Sequence, residues 1–126
     1  MALAIRTTNP TELCIKINLD GNLNNETVES FEQEIKRLLV NPLQTLVLDL
    51  QDLQFVSSSG IGALVKLKAT LYSKKTELVT VNLPPQIQKV FEIMRLLPVL
   101  NVFEDVQELD HYLTKMQEKV IKENLE

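Results

Sequence analysis

Three consecutive hydroxyls, Ser57, Ser58 and Ser59, stand directly before Gly60-Ile61-Gly62, and this cluster is the one whose residue types and spacing point to chemistry. Serines at the start of a helix accept hydrogen bonds from its free amides, so at least one of the three is expected to cap a helix. A helix N-terminus also offers unpaired N–H groups and the positive end of the backbone dipole. A phosphoryl group on Ser59, with Ser58 and Ser57 as less favoured acceptors, would be held there without unfolding the domain that bears it.

The other candidates carry less. His111 is the only histidine and lies beside Asp110 and Tyr112, as a surface residue of a helix would. With no second histidine or cysteine nearby it makes no zinc site. No Gly-x-Ser-x-Gly elbow surrounds any serine, which leaves a hydrolytic triad without its nucleophile. Gly60 and Gly62 lack the third glycine of the dinucleotide fingerprint, since position 65 is Val65, and no Gly-Lys-Ser/Thr of a phosphate loop follows. Asp49 and Asp52, three apart after an apolar run, read as turn residues rather than cation ligands. Cys14 is the only cysteine, which excludes an intramolecular disulfide and a multi-cysteine metal site. No enzyme activity, no cofactor and no metal are expected.

The elements that must position the serine run follow from hydrophobic periodicity. Leu13, Ile15, Ile17 and Leu19 alternate with polar neighbours, the pattern of a half-buried strand. Leu3 to Thr7 is expected to pair with it across a turn at Asn9-Pro10, and Asp20-Gly21-Asn22 punctuates the chain. Val28, Phe31, Ile35, Leu38 and Leu39 share one face of an amphipathic helix, with Asn24 or Asn25 as its cap. Thr45 to Leu50 and Leu78 to Leu83 read as strands covered on both faces. Between them a helix opens at the serine run and places Ile61, Leu64, Val65, Lys68 and Leu71 at helical spacing. Pro84-Pro85 starts a short third helix with Ile87, Val90, Phe91 and Met94 as its stripe. An edge strand is expected within residues 99–103. A fourth helix is expected from Asp105, with an apolar seam through Val106, Leu109, Leu113, Met116 and Val120. Strands alternating with helices imply a mostly parallel sheet in an α/β domain of four to five strands and about four helices. One domain over residues 1–126 is expected, with its core in 3–115 and a charged end over 116–126.

Composition bounds the function. At 126 residues with 44% hydrophobic and 24% charged side chains, the chain can bury one aliphatic core. A net charge of −4, spread along the chain, gives no field for a phosphate backbone, so nucleic acid is a poor partner. Lys66, Lys68, Lys74 and Lys75 read as a solvated helix face. Residues 1–8 carry Arg6 and no apolar core, so no secretory signal is expected. No apolar run reaches the ~20 residues of a membrane span, so direct membrane insertion is not expected and the cytoplasm is the default location.

Three stretches carry a family resemblance. Gly21-Asn22-Leu23-Asn24 resembles the Gly-x-Leu-Asp step before the first helix of the STAS domain, the sulfate transporter and anti-sigma factor antagonist family. Residues 46–65, LVLDLQDLQFVSSSGIGALV, resemble that family's apolar strand, acidic turn and Asp-Ser-Ser-Gly-hydrophobic-Gly signature. Residues 81–113 resemble its closing segment. The likeness spans about residues 3 to 115, in order.

The resemblance implies a bacterial partner-switching protein that regulates transcription without catalysis. In the antagonist branch the serine before the signature glycine, Ser59 here, is phosphorylated by an anti-sigma factor that is also a serine kinase. The unphosphorylated form binds that kinase, the phosphorylated form releases it, and a serine phosphatase resets the cycle. The expected contact surface is the slim start of the second helix, Ser58, Gly60, Ile61, Gly62 and Val65, beside Asn22, Asn24 and Asn25. A weak homodimer is compatible with the sequence. Two departures stand out: Ser57 replaces the usual acid two residues before the phosphoserine, and Asn24 replaces the acid of the Gly-x-Leu-Asp step. Arg95 also stands where a glycine is common. The alternative is a free-standing scaffold subunit of a transporter or other signalling complex, with no phospho-switch.

Overall fold

Apolar residues at every second position build the sheet, and the structure, a computed structural model, describes residues 3–98 and 100 with the backbone of 102–103. Strand β1 (Leu3–Thr11) pairs antiparallel with β2 (Cys14–Leu23), with Ile5 opposite Leu19 and Thr7 opposite Ile17. Next come helix α1 (Val28–Leu38), strand β3 (Thr45–Asp49), strand β4 (Leu53–Val56) and helix α2 (Ser58–Ser73). Strand β5 (Glu77–Val81), helix α3 (Pro85–Ile93) and strand β6 (Val102–Phe103) close the described chain. The sheet order is β1-β2-β3-β5-β6, with β4 also pairing with β2. Every pairing after the first hairpin is parallel.

The core lies on one face of this sheet. Ile15, Ile17, Leu19, Leu46, Leu48 and Leu78 pack with Phe31 and Ile35 of α1, Leu64, Leu67 and Leu71 of α2, and Ile87 and Phe91 of α3. Phe31 and Phe91 are fully buried, each contributing about 1.5–3 kcal/mol relative to an exposed ring. The intervening strand positions point the other way, where Val47, Val79 and Val81 form a smaller buried cluster with Cys14 beside it.

Two expectations are corrected. Strand β1 does not stop at Thr7 but runs through Asn9-Pro10 to Thr11, the register slipping between Thr8 and Thr11. Pro10 is tolerated there because β1 is an edge strand, where a missing N–H breaks no ladder bond. Asp20-Gly21-Asn22 lies inside β2 rather than after it. Gly21, at φ 121°, takes a bend that a side chain would resist, and its N–H donates to the Asp52 carbonyl at 3.1 Å. The path β1-β2-β3-β5-β6 holds the expected five strands, and Leu53–Val56 adds a short sixth off that path, beside the end of β2 that β3 does not reach. The described residues hold three helices. The fourth helix, its charged end and His111 fall outside the described residues. The edge strand expected within 99–103 is seen at Val102–Phe103.

Candidate modification and partner-binding site

Ser57 starts the site. Its extended backbone, φ −86° and ψ 174°, makes it the N-cap of α2, and its Oγ accepts from the Gly60 N–H at 3.1 Å. Ser57 N–H donates to the Leu23 carbonyl at 2.9 Å, tying the cap to the end of β2. Of the three serines this is the capping one, as the hydroxyl chemistry requires.

Ser59, two residues into the helix, turns its hydroxyl toward the loop after β2. Its Oγ donates to Asn25 Oδ1, and Ser57 Oγ lies 2.8 Å from it. A hydroxyl has one proton, so with the Ser59 proton on Asn25 the Ser57 hydroxyl is the donor of that second bond. The result is a directed chain from Ser57 through Ser59 to Asn25. Ser59 is half-buried, and Ser58 is exposed and outside the chain. No acidic residue occupies the first turn of α2.

The loop facing Ser59 is built around Asn24. Its Oδ1 accepts from the Glu26 N–H at 2.9 Å and the Thr27 N–H at 3.2 Å, while its own N–H donates to Thr27 Oγ1 at 3.0 Å. Thr27 Oγ1, buried, donates to the Asn22 carbonyl at 2.7 Å. Neither Asn24 nor Asn25 is the cap of α1: Thr27 holds the N-cap position without a side-chain bond to the helix, and Asn24 closes the turn before it. An acid at position 24 would accept the same two bonds, so the asparagine keeps the geometry and gives up only the charge.

The glycines differ. A Cβ at Gly60 would lie 2.5 Å from the Leu23 carbonyl and 2.9 Å from Val56 Cγ2, so Gly60 lets α2 sit against the backbone of β2. A Cβ at Gly62 would meet nothing within 4 Å. Gly60 and Ile61, expected on the contact surface, are buried and belong to the core side of the helix. The outward face instead carries Ser58, Gly62, Val65, Ala69 and Tyr72, all exposed, at spacings of four and three. That seam bears no charge, which is unusual for a surface helix face. Phe55, 51% exposed, stands in β4 opposite Asn22 and was not anticipated from the sequence. The signal was available: Phe55-Val56 are adjacent apolar residues, and neighbours in a strand point to opposite faces of the sheet, so only one of them can join the core on a given face.

Asp49 and Asp52 are engaged internally. Asp49 is buried, accepts from Gln51 N–H at 3.1 Å and Asn82 Nδ2 at 3.2 Å, and pairs with Lys16 at 3.5 Å. Asp52 accepts from Asn18 Nδ2 at 3.3 Å. Among the described residues no group of three or more acidic, histidine or cysteine side chains is placed to hold a metal. Burial pushes the Cys14 thiol up, away from reactive thiolate. No described helix is long and apolar enough to cross a membrane.

Known proteins resemble this chain in sequence and fold. Residues 4–109 match the model of the STAS domain. BtrV of Bordetella bronchiseptica, which carries the name anti-sigma factor antagonist, is 31% identical over 84 residues, spanning 67% of this chain and 72% of BtrV. An anti-sigma factor antagonist from Mycobacterium paratuberculosis has the same fold at 20% identity, covering 92% of this chain and 95% of that one, with a TM-score of 0.72. The Bacillus cell fate determinant SpoIIAA, in its phosphorylated form, overlays at 23% identity and a TM-score of 0.67, covering 86% of this chain and 99% of that one. With the family match spanning most of the chain and the serine run standing where the second helix leaves the sheet, this protein belongs to the STAS domain family.

Proposed function

We propose that the chain is a partner-switching anti-sigma factor antagonist of the bacterial cytoplasm, set by phosphorylation of Ser59. Unmodified, it binds an anti-sigma factor that is also a serine kinase; phosphorylated, it releases that partner until a serine phosphatase restores it. It acts by binding and performs no catalysis of its own. The observation that carries this reading is the Ser59 hydroxyl, half-buried in a helix first turn that has no acid and tied to a loop from another part of the chain.

A phosphoryl group replaces the proton that Ser59 donates to Asn25, so that bond is lost on modification. The new group brings about −1.5 to −2 charges beside the helix amides, where the backbone dipole favours it. The domain therefore tolerates the modification, while a partner seated on the uncharged seam of Ser58, Gly62 and Val65 meets a desolvated anion. A loss of about 4 kcal/mol there weakens binding about a thousandfold.

Incubation with the kinase partner and ATP, followed by phosphopeptide mapping, tests the reading. Modification at Ser59, abolished in Ser59→Ala, is the expected result. Modification confined to Ser57, Ser58 or Thr70 overturns the assignment. A stable complex with no modification at all favours the scaffold role instead.

A further inference from the structure

The crossover helices α1 and α2 run in the same direction, since each returns the chain between parallel strands, and a groove of about 320 Å³ lies between them. Its floor is apolar, formed by Phe31, Ile35 and Leu39 on one side and Ala63 and Leu67 on the other. Its rim is cationic: Lys36, Lys66 and Lys74 line it against a single acid, Glu32. Lys66 pairs with Glu32 at 3.3 Å, whereas among the described residues Lys36 and Lys74 form no ion pair. Those two lie in the last turn of α1 and at the C-cap of α2, so they share one end of the groove. In a chain of net charge −4, an apolar trough ending in two ammonium groups that form no ion pair with any described residue is complementary to one kind of molecule. The volume falls at the lower end of the roughly 300–1,000 Å³ typical of small-ligand sites, too small for a folded partner.

We propose that this groove binds a single-chain anionic amphiphile, an acyl chain ending in a carboxylate, with the chain on the Phe31–Leu67 floor and the head on Lys36 and Lys74. The helix carbonyls at that end repel an anion, so recognition falls to the two ammonium groups, whose methylene stems extend the apolar walls. The site is separate from Ser59 and does not depend on its modification.

Calorimetric titration of the full chain with dodecanoate, below its micelle-forming range, tests this, with dodecyl maltoside as the same chain under a neutral head. Saturable one-to-one binding of dodecanoate is expected, at least tenfold tighter than dodecyl maltoside. The double variant Lys36→Gln, Lys74→Gln should weaken dodecanoate at least tenfold and leave dodecyl maltoside unchanged. Thr70→Trp, which fills the groove from α2, should block both. Absence of saturation, equal affinity for the two amphiphiles, or dodecanoate binding unaffected by the lysine variant each overturns the proposal. The lysine variant changes only exposed side chains, so it decides the matter even if Thr70→Trp fails to fold.

Discussion

The hydroxyl of Ser59 donates to the side-chain oxygen of Asn25, thirty-four positions earlier in the chain. This bond joins the first turn of α2 to the loop after β2 and fixes the direction in which the hydroxyl points. Replacing Asn25 with alanine frees the hydroxyl to rotate without touching the core, because Asn25 is exposed. Asn25→Ala is expected to melt as the parent does and to accept phosphate about tenfold more slowly, since a mispositioned nucleophile is costly. Initial rates of phosphoryl transfer from the kinase partner measure this. An unchanged rate shows that Asn25 does not position Ser59.

Ser59→Asp and Ser59→Ala should separate charge from shape. The aspartate sits at a helix N-terminus that favours it, so folding is retained, but binding to the kinase partner should fall at least a hundredfold. Ser59→Ala should bind and never be released. Calorimetry on the three proteins decides the point, and equal affinities would falsify the switch.

Gly60 and Gly62, two residues apart, should respond oppositely. A Cβ at Gly60 collides with the Leu23 carbonyl, so Gly60→Ala is expected to destabilise by about 1–3 kcal/mol as α2 is pushed off the sheet. Gly62→Ala should be neutral or stabilise by about 0.5–1 kcal/mol, because its site is open and glycine weakens a helix. Urea unfolding gives both numbers. Gly62→Trp should fold normally and lose the partner; retained binding would place the contact surface elsewhere.

Asn24 should tolerate a carboxylate and not an alanine. Asn24→Ala removes the acceptor of two N–H groups, at a cost of about 1 kcal/mol. Asn24→Asp keeps both bonds and adds a charge just ahead of α1, for a gain of about 0.3–1 kcal/mol at low salt. Thermal melts at two salt concentrations test the pair, since only the aspartate gain should shrink with salt.

Cys14 should be a sluggish thiol. Its folded pKa is raised by burial, so the neutral form persists to higher pH than in a free cysteine. Stability from that protonated thiol is present below the unfolded pKa and is lost as pH rises through the folded one. Alkylation should therefore be slow at neutral pH and accelerate only in alkaline solution. Alkylation at neutral pH as fast as that of an unfolded peptide would contradict the burial.

Sequence periodicity made most of this architecture legible, but only where one face of an element is buried. Ile15, Ile17 and Leu19 announce β2, and Phe31 and Ile35 announce α1, because burial imposes their spacing. The run over β1 misled because Asn9 and Pro10 have turn chemistry and yet sit on an edge, where solvent leaves the choice open. Strand β4 was missed because four residues hold too little alternation to register. At the site, the serine run and the loop were visible, but the bond between them was not. Gly60 and Gly62 look alike in sequence, and only the path of the Leu23 carbonyl distinguishes the packed glycine from the open one.

Arg95 adopts φ 57°, a left-handed conformation that an arginine enters at a cost and a glycine enters freely. Arg95→Gly is expected to stabilise by about 0.5–1 kcal/mol, partly offset by the extra freedom it gives the unfolded chain. A lower denaturation midpoint for the glycine variant would show that the arginine side chain makes a compensating contribution.

The Leu23 carbonyl receives the Ser57 N–H and also lies against Gly60, so the root of α2 is tied to the sheet at two nearby points. These two contacts anchor the helix within two residues of Ser59. In the proposed switch, a phosphate on Ser59 would therefore mark a braced surface, as a stamp on a rigid plate. Under that proposal, any large movement in the cycle would have to occur in the partner that reads it.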